Sequence, residues 1–148
     1  MIIVGHRGAR NEAPENTVEG FVHAQQHGCQ HFELDIQLSA DHKLMVFHDS
    51  SLKRTTGQRG KLGNFPSRYL QTLDASLSMP NWHVPCPIPT LQSVVNSAPH
   101  ASHWQFEVKS DSRHRLSILI QHLHHFIIEN NLIELVTVTS SNRWFLKQ

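Results

Sequence analysis

Apolar positions along the chain recur with two periods, one near 2 and one near 3.6, and the segments that carry them alternate. Ile2, Ile3 and Val4 form a short β-branched run closed by Gly5, which predicts a strand buried on both faces and ending at His6. Asn16, with Glu19 three positions later, reads as a helix cap; Val18, Phe21, Val22 and Gln25 then keep helical spacing until Gly28 offers a stop. From His31 to Leu38 the residues Phe32, Leu34, Ile36 and Leu38 alternate with Glu33, Asp35 and Gln37, so a second strand has one apolar and one polar face. A turn at 39–42 leads into a third strand, Leu44 to Phe47, which runs into His48 and Asp49.

Between about residues 50 and 89 the periodicity fades, and Gly57, Gly60, Gly63, Pro66, Pro80, Pro85, Pro87 and Pro89 interrupt it. This stretch reads as an irregular insertion, a lid rather than a linker. Thr90 then starts a short helix with Leu91, Val94 and Val95, and Trp104 to Val108 forms a strand with Glu107 and Lys109 on one face. Leu116, Leu119, Ile120, Leu123, Phe126 and Ile127 make the apolar stripe of a helix over about 112–129. Leu135 to Val138 supply a fifth strand, and 142–148 read as the start of a further helix. Repeated strand–helix units predict an α/β fold with a parallel sheet and right-handed crossovers, as one domain over 1–148.

Charge narrows the function. Lys plus Arg number 13 against 12 for Asp plus Glu, so no global positive field draws the chain onto nucleic acid or an anionic membrane, and an anionic ligand must be held locally. The 13 histidines are expected mostly on the surface. Cys29 and Cys86 fit no metal or redox spacing and are read as thiols. The opening residues lack the marks of a secretory leader and no segment is long and apolar enough to span a bilayer, so a soluble cytoplasmic protein is expected.

The polar residues that interrupt the pattern fall at strand ends: His6 and Arg7, Glu33 and Asp35, His48, then Glu107 and Lys109. Barrels and open α/β sheets both place their sites there. Glu33, Asp35 and Glu107 would gather three carboxylates whose repulsion a divalent cation with oxygen ligands relieves, which favours Mg²⁺ or Ca²⁺ over Zn²⁺. His6 and His48 have the chemistry of a general base and a general acid, while Arg7 and Lys109 can grip phosphate oxygens. His122, His124 and His125 crowd one helix, where a solvated face is the simpler reading; Trp104 and Phe126 sit at core positions. No segment has the glycine spacing of a nucleotide-phosphate loop, so ATP and NAD are not indicated.

The strings His6-Arg7-Gly8-Ala9, Pro14-Glu15-Asn16-Thr17, Glu33-Leu34-Asp35, His48-Asp49, Arg54-Thr55-Thr56-Gly57, Ile88-Pro89-Thr90-Leu91 and Glu107-Val108-Lys109 occur in that order. Together they resemble the glycerophosphodiester phosphodiesterase family over nearly the whole chain. The resemblance implies a TIM-type (β/α)8 barrel in which Glu33, Asp35 and Glu107 hold the metal, His6 and His48 exchange protons, and Arg7 and Lys109 bind phosphate. It also implies hydrolysis of a small glycerophosphodiester, such as glycerophosphocholine or glycerophosphoethanolamine, to glycerol 3-phosphate and an alcohol, with the insertion shaping the glycerol pocket. Ser39, commonly Thr in the family, and Ser141, often Phe, depart from the pattern.

Such a barrel takes about 250 residues, whereas about five parallel strands are legible here, so the barrel is expected to be incomplete. Its open edge would favour self-association. Two further readings stand beside hydrolysis of soluble diesters: an inactive fragment that binds only metal and phosphate, and a related lysophospholipid phosphodiesterase.

Overall fold

The computed structural model describes residues 2–109, 113–141 and 145. In chain order the elements are β1 (Val4–His6), α1 (Val18–Gln26), β2 (His31–Leu38), β3 (Leu44–Val46), α2 (Lys53–Thr56), α3 (Ser67–Leu70), α4 (Leu91–Ser97), β4 (His103–Val108), α5 (Arg113–Glu129) and β5 (Val136–Thr139). The helix expected over 142–148 lies outside the described residues apart from 145.

Strands β1, β2, β4 and β5 lie side by side in that order, all parallel. The apolar face of β2 (Phe32, Leu34, Ile36 and Leu38) packs with Trp104, Phe106 and Val108 of β4 in one buried cluster. The same cluster takes in Phe21 and Ala24 of α1, Leu91 and Val94 of α4, and Leu116, Leu119 and Leu123 of α5. The helices therefore cover the apolar side of the sheet, and Glu33, Asp35 and Gln37 are left on the other, which is how a barrel wall is built.

Three sequence expectations are corrected. The third strand, β3, runs antiparallel to β2, with Ile36 opposite Val46 and Leu38 opposite Leu44. The connection at 39–43 is too short for a parallel crossover, which needs a dozen residues or more. Within it, Ser39 Oγ donates to Asp41 at 2.6 Å and accepts from the Lys43 N–H at 2.9 Å. Ile2, Ile3 and Val4 are not buried but 72%, 65% and 47% exposed, because β1 is an edge strand that pairs only with β2 among the described residues. Thr17, not Asn16, caps α1: Thr17 has the extended backbone a cap requires and its Oγ accepts from the Gly20 N–H at 3.1 Å. Asn16 instead has a φ of 55°.

The insertion has a small core of its own, in which Leu52, Leu62, Leu70, Ala75 and Ile88 pack with Met45 and Phe47. Short helices and isolated bridges at Ser51–Lys61 and Asp74–Pro87 hold it together, which accounts for its lack of periodicity. Asp41 ties it to the β2–β3 turn by accepting from both the N–H and Oγ of Ser67 at 2.7 Å. The loop after β1 needs glycine at position 8. Its φ is 83°, and a Cβ there would come within 2.8 Å of the Gly20 backbone. Cys29 and Cys86 are both free, in line with their reading as thiols.

Candidate active site

Parallel register does the positioning. His6 is the register partner of Glu33 and Asp35 that of Glu107, so residues far apart in sequence meet at one level of the sheet. His6 Nε2 stands 3.6 Å from Glu33 Oε2. One oxygen each from Glu33, Asp35 and Glu107 lies within 4.8 Å of the others, the spacing of a shared cation site. Among the described residues no other group of three potential metal ligands converges in this way. His122 and His125 instead line a separate cavity of about 300 Å³, where His125 pairs with Glu129 at 2.9 Å.

Asp35 is fully buried, yet it is surrounded by donors. Asn16 Nδ2 donates to its Oδ2 at 2.9 Å, Arg7 Nε lies 3.2 Å from the same oxygen, and Lys109 Nζ stands 3.4 Å from Oδ1. None of these gives Oδ1 a hydrogen bond, so a buried carboxylate oxygen is left with only the ion pair to Lys109. Lys109 also donates to Glu107 at 2.6 Å. Burial lowers its pKa, but the bond to Glu107 and the charge of Asp35 outweigh this, and the ammonium is held above its usual value.

Glu33 shows the strain of collecting negative charge. Burial, and then the neighbouring Asp35 carboxylate, push its pKa up to about 7, although the Arg7 N–H donates to its Oε2 at 3.1 Å. His6 is shifted the other way: burial, then the charges of Arg7 and Arg10, lower its pKa and favour the neutral ring.

His48 follows β3 and is fixed twice. The Gln37 side-chain amide lies 2.8, 3.1 and 2.9 Å from the carbonyls of Phe47, His48 and Asp49, which ties the loop to the polar face of β2. Asp49 Oδ1 then pairs with His48 Nδ1 at 2.7 Å. His48 and Lys109 line one cavity of about 220 Å³, with Gln37, Lys61 and Arg115 also in its wall.

The structure thus brings His6, Arg7, Glu33, Asp35, Glu107 and Lys109 together by direct contact, and His48 joins Lys109 across a cavity. Sequence reasoning missed the roles of Glu15, Asn16, Gln37, Asp49 and Arg54. The alternation of β2 already placed Gln37 on the polar face. Glu15, Asn16, Asp49 and Arg54 stood inside the motif strings but gave no local sign of what they contact.

The sequence model of the glycerophosphoryl diester phosphodiesterase family matches residues 6–139. A glycerophosphodiester phosphodiesterase from Bacillus altitudinis is 35% identical over 107 residues, covering 72% of this chain and 44% of the relative. A human lysophospholipase D is 36% identical over 77 residues, which cover 49% of this chain and 24% of the relative. Among solved structures, an Oleispira antarctica phosphodiesterase in complex with the product sn-glycerol-3-phosphate matches with a TM-score of 0.89 at 27% identity, over 99% of this chain and 60% of its own. The chain spans about two fifths of the length of the first curated relatives it matches.

Proposed function

Because the chain belongs to the glycerophosphoryl diester phosphodiesterase family, we propose that it hydrolyses small glycerophosphodiesters to glycerol 3-phosphate and an alcohol at the acidic site described above. The observation that carries the reading is the convergence of Glu33, Asp35 and Glu107 within 4.8 Å, flanked by Arg7 and Lys109. We place this site in one partial barrel domain over 1–148 that includes the insertion.

The three carboxylates fit a divalent cation. The donor set is all oxygen, Asp35 Oδ1 is buried without a hydrogen bond, and Glu33 retains its proton up to about pH 7 unless positive charge arrives. These hard ligands suit Mg²⁺ or Ca²⁺. When bound there, the cation would supply charge neutralisation for phosphoryl oxygens. Arg7 and Lys109 would add fixed positive charge to the same anion. His6, neutral near pH 7, would accept a proton from the nucleophile. The Asp49 contact selects the tautomer of His48 that keeps the proton on Nδ1, and Nε2 is then the nitrogen that exchanges a proton with the leaving alcohol.

Release of glycerol 3-phosphate from glycerophosphocholine is expected to require Mg²⁺ or Ca²⁺ and to fall by at least about a thousandfold in Glu33→Ala. Undiminished release by that variant, or in excess chelator, would contradict the reading. Saturable cation binding without turnover would favour a binding fragment. The similarity to a human lysophospholipase D supports a second reading, which predicts choline release from lysophosphatidylcholine in the same assay.

Cation binding should depend on pH through Glu33. Its folded pKa, about 7, lies above its ordinary 4.5, so the protonated form stabilises the cation-free chain; that stability is full below 4.5 and is lost as pH rises through about 7. A cation has to displace this proton. Its affinity is expected to fall by about tenfold per pH unit below 7 and to level off above it. Calorimetric titration at pH 6 and pH 8 checks this, and equal affinities would contradict it.

A further inference from the structure

Arg54 of α2 and Glu15 of the β1–α1 loop are 39 residues apart, yet they meet fork on fork: Nη1 donates to Oε2 at 2.9 Å and Nη2 to Oε1 at 2.7 Å. The remaining guanidinium donor, Nε, bonds Asp49 Oδ2 at 2.6 Å. Asp49 holds His48 through its other oxygen, and Glu15 Oε1 accepts from Arg7 Nη1 at 3.2 Å. An unbroken run of side chains, His48–Asp49–Arg54–Glu15–Arg7, therefore joins the insertion to the loop after β1.

We propose that Arg54 and Glu15 are positioning residues that fix the imidazole of His48 relative to the guanidinium of Arg7. The proposal rests on the roles assigned to His48 and Arg7 above. Only arginine has three donor nitrogens in one plane, enough to hold two carboxylates at once; a lysine ammonium at position 54 can hold one arm or the other. The Arg54 side chain is 42% exposed, so its ion pairs add little to folding stability, whereas that of Glu15 is 9% exposed and bears on Arg7 directly. Removing the bridge should disturb geometry far more than stability.

The test is the kcat and KM of the full chain on glycerophosphocholine for Arg54→Gln, Arg54→Lys, Glu15→Gln and the double variant Arg54→Gln/Glu15→Gln, with thermal midpoints taken in parallel. Both Arg54 variants should lose about 10- to 100-fold in kcat, because displacements on the order of an ångström at reacting groups cost this much. Glu15→Gln should raise KM more than it lowers kcat, since it removes one of the two carboxylates that hold the phosphate-binding Arg7. Glu15→Gln added to Arg54→Gln should cost less than about threefold more, because the two residues act as a unit.

A lysine variant equal to wild type, fully additive effects, or losses that merely follow the folded fraction would overturn the proposal. His48→Ala and Glu33→Ala separate the two claims. If those variants keep wild-type turnover, the functional reading falls and takes the clamp with it; if they are inactive while Arg54→Gln is normal, only the clamp falls. Should the wild type show no turnover, its affinity for sn-glycerol 3-phosphate in Mg²⁺ is read instead. A loss of about tenfold in Arg54→Gln supports the clamp. Unchanged affinity, or no binding by the wild type, overturns it.

Discussion

Replacing Asp35 by alanine is expected to destabilise the chain by about 3 kcal/mol or more and to abolish cation binding in the same step. Asp35 is fully buried at the centre of three donors, Asn16, Arg7 and Lys109. Removing its carboxylate leaves the largely buried Arg7 guanidinium with Glu15 alone and strands the Asn16 amide. A buried charge that loses its partner costs far more than an exposed pair contributes. Asp35→Asn keeps the shape but not the charge and should fall between the two. Urea midpoints of the three proteins, with and without Mg²⁺, provide the check. The wild type alone should gain stability with the ion, as expected when a ligand binds only the folded state. An unchanged midpoint in Asp35→Ala would show that the arginine and lysine do not depend on this carboxylate.

Trp104→Ala should cost about 3–5 kcal/mol, a large share of what a domain of this size has to lose. The indole is 1% exposed and lies between elements: its centroid is 5.1 Å from Phe32 of β2, 5.9 Å from Phe21 of α1 and 6.2 Å from Phe106 on its own strand. Alanine would open a cavity where sheet and helix meet, and the rigid rings around it have little freedom to collapse inward. Equilibrium unfolding by circular dichroism reads the effect. A cost below about 1 kcal/mol would mean that the sheet and α1 are not held by this aromatic cluster.

Much of the frame was legible from period alone. Alternation gave β2 its observed limits, His31–Leu38, because a strand with one apolar and one polar face writes its orientation into every second residue. The direction of β3 was not written there, since periodicity carries no sign; the short 39–43 connection decides it. The exposure of Ile2, Ile3 and Val4 depends on what lies beyond the edge of β1, which no local pattern contains. Glu107 and the flanking His6, Arg7 and Lys109 could be named because they lie at or just past strand ends, and Glu33 and Asp35 because they share the polar face of β2. That Glu107 faces Asp35 is a matter of register between β2 and β4. Asn16 shows the limit: its spacing matches a helix cap, while its amide serves Asp35 across 19 residues. Contacts such as Arg54 with Glu15 are likewise properties of the folded chain alone.

The most direct measurement is a ³¹P NMR time course of glycerophosphocholine with the 148-residue chain and Mg²⁺ or Ca²⁺, run beside His6→Ala. Loss of the diester signal with growth of glycerol 3-phosphate, only with cation and not in the variant, is the predicted result. A diester signal that stays constant with a folded, cation-loaded chain, or growth of phosphocholine in place of glycerol 3-phosphate, would contradict the account.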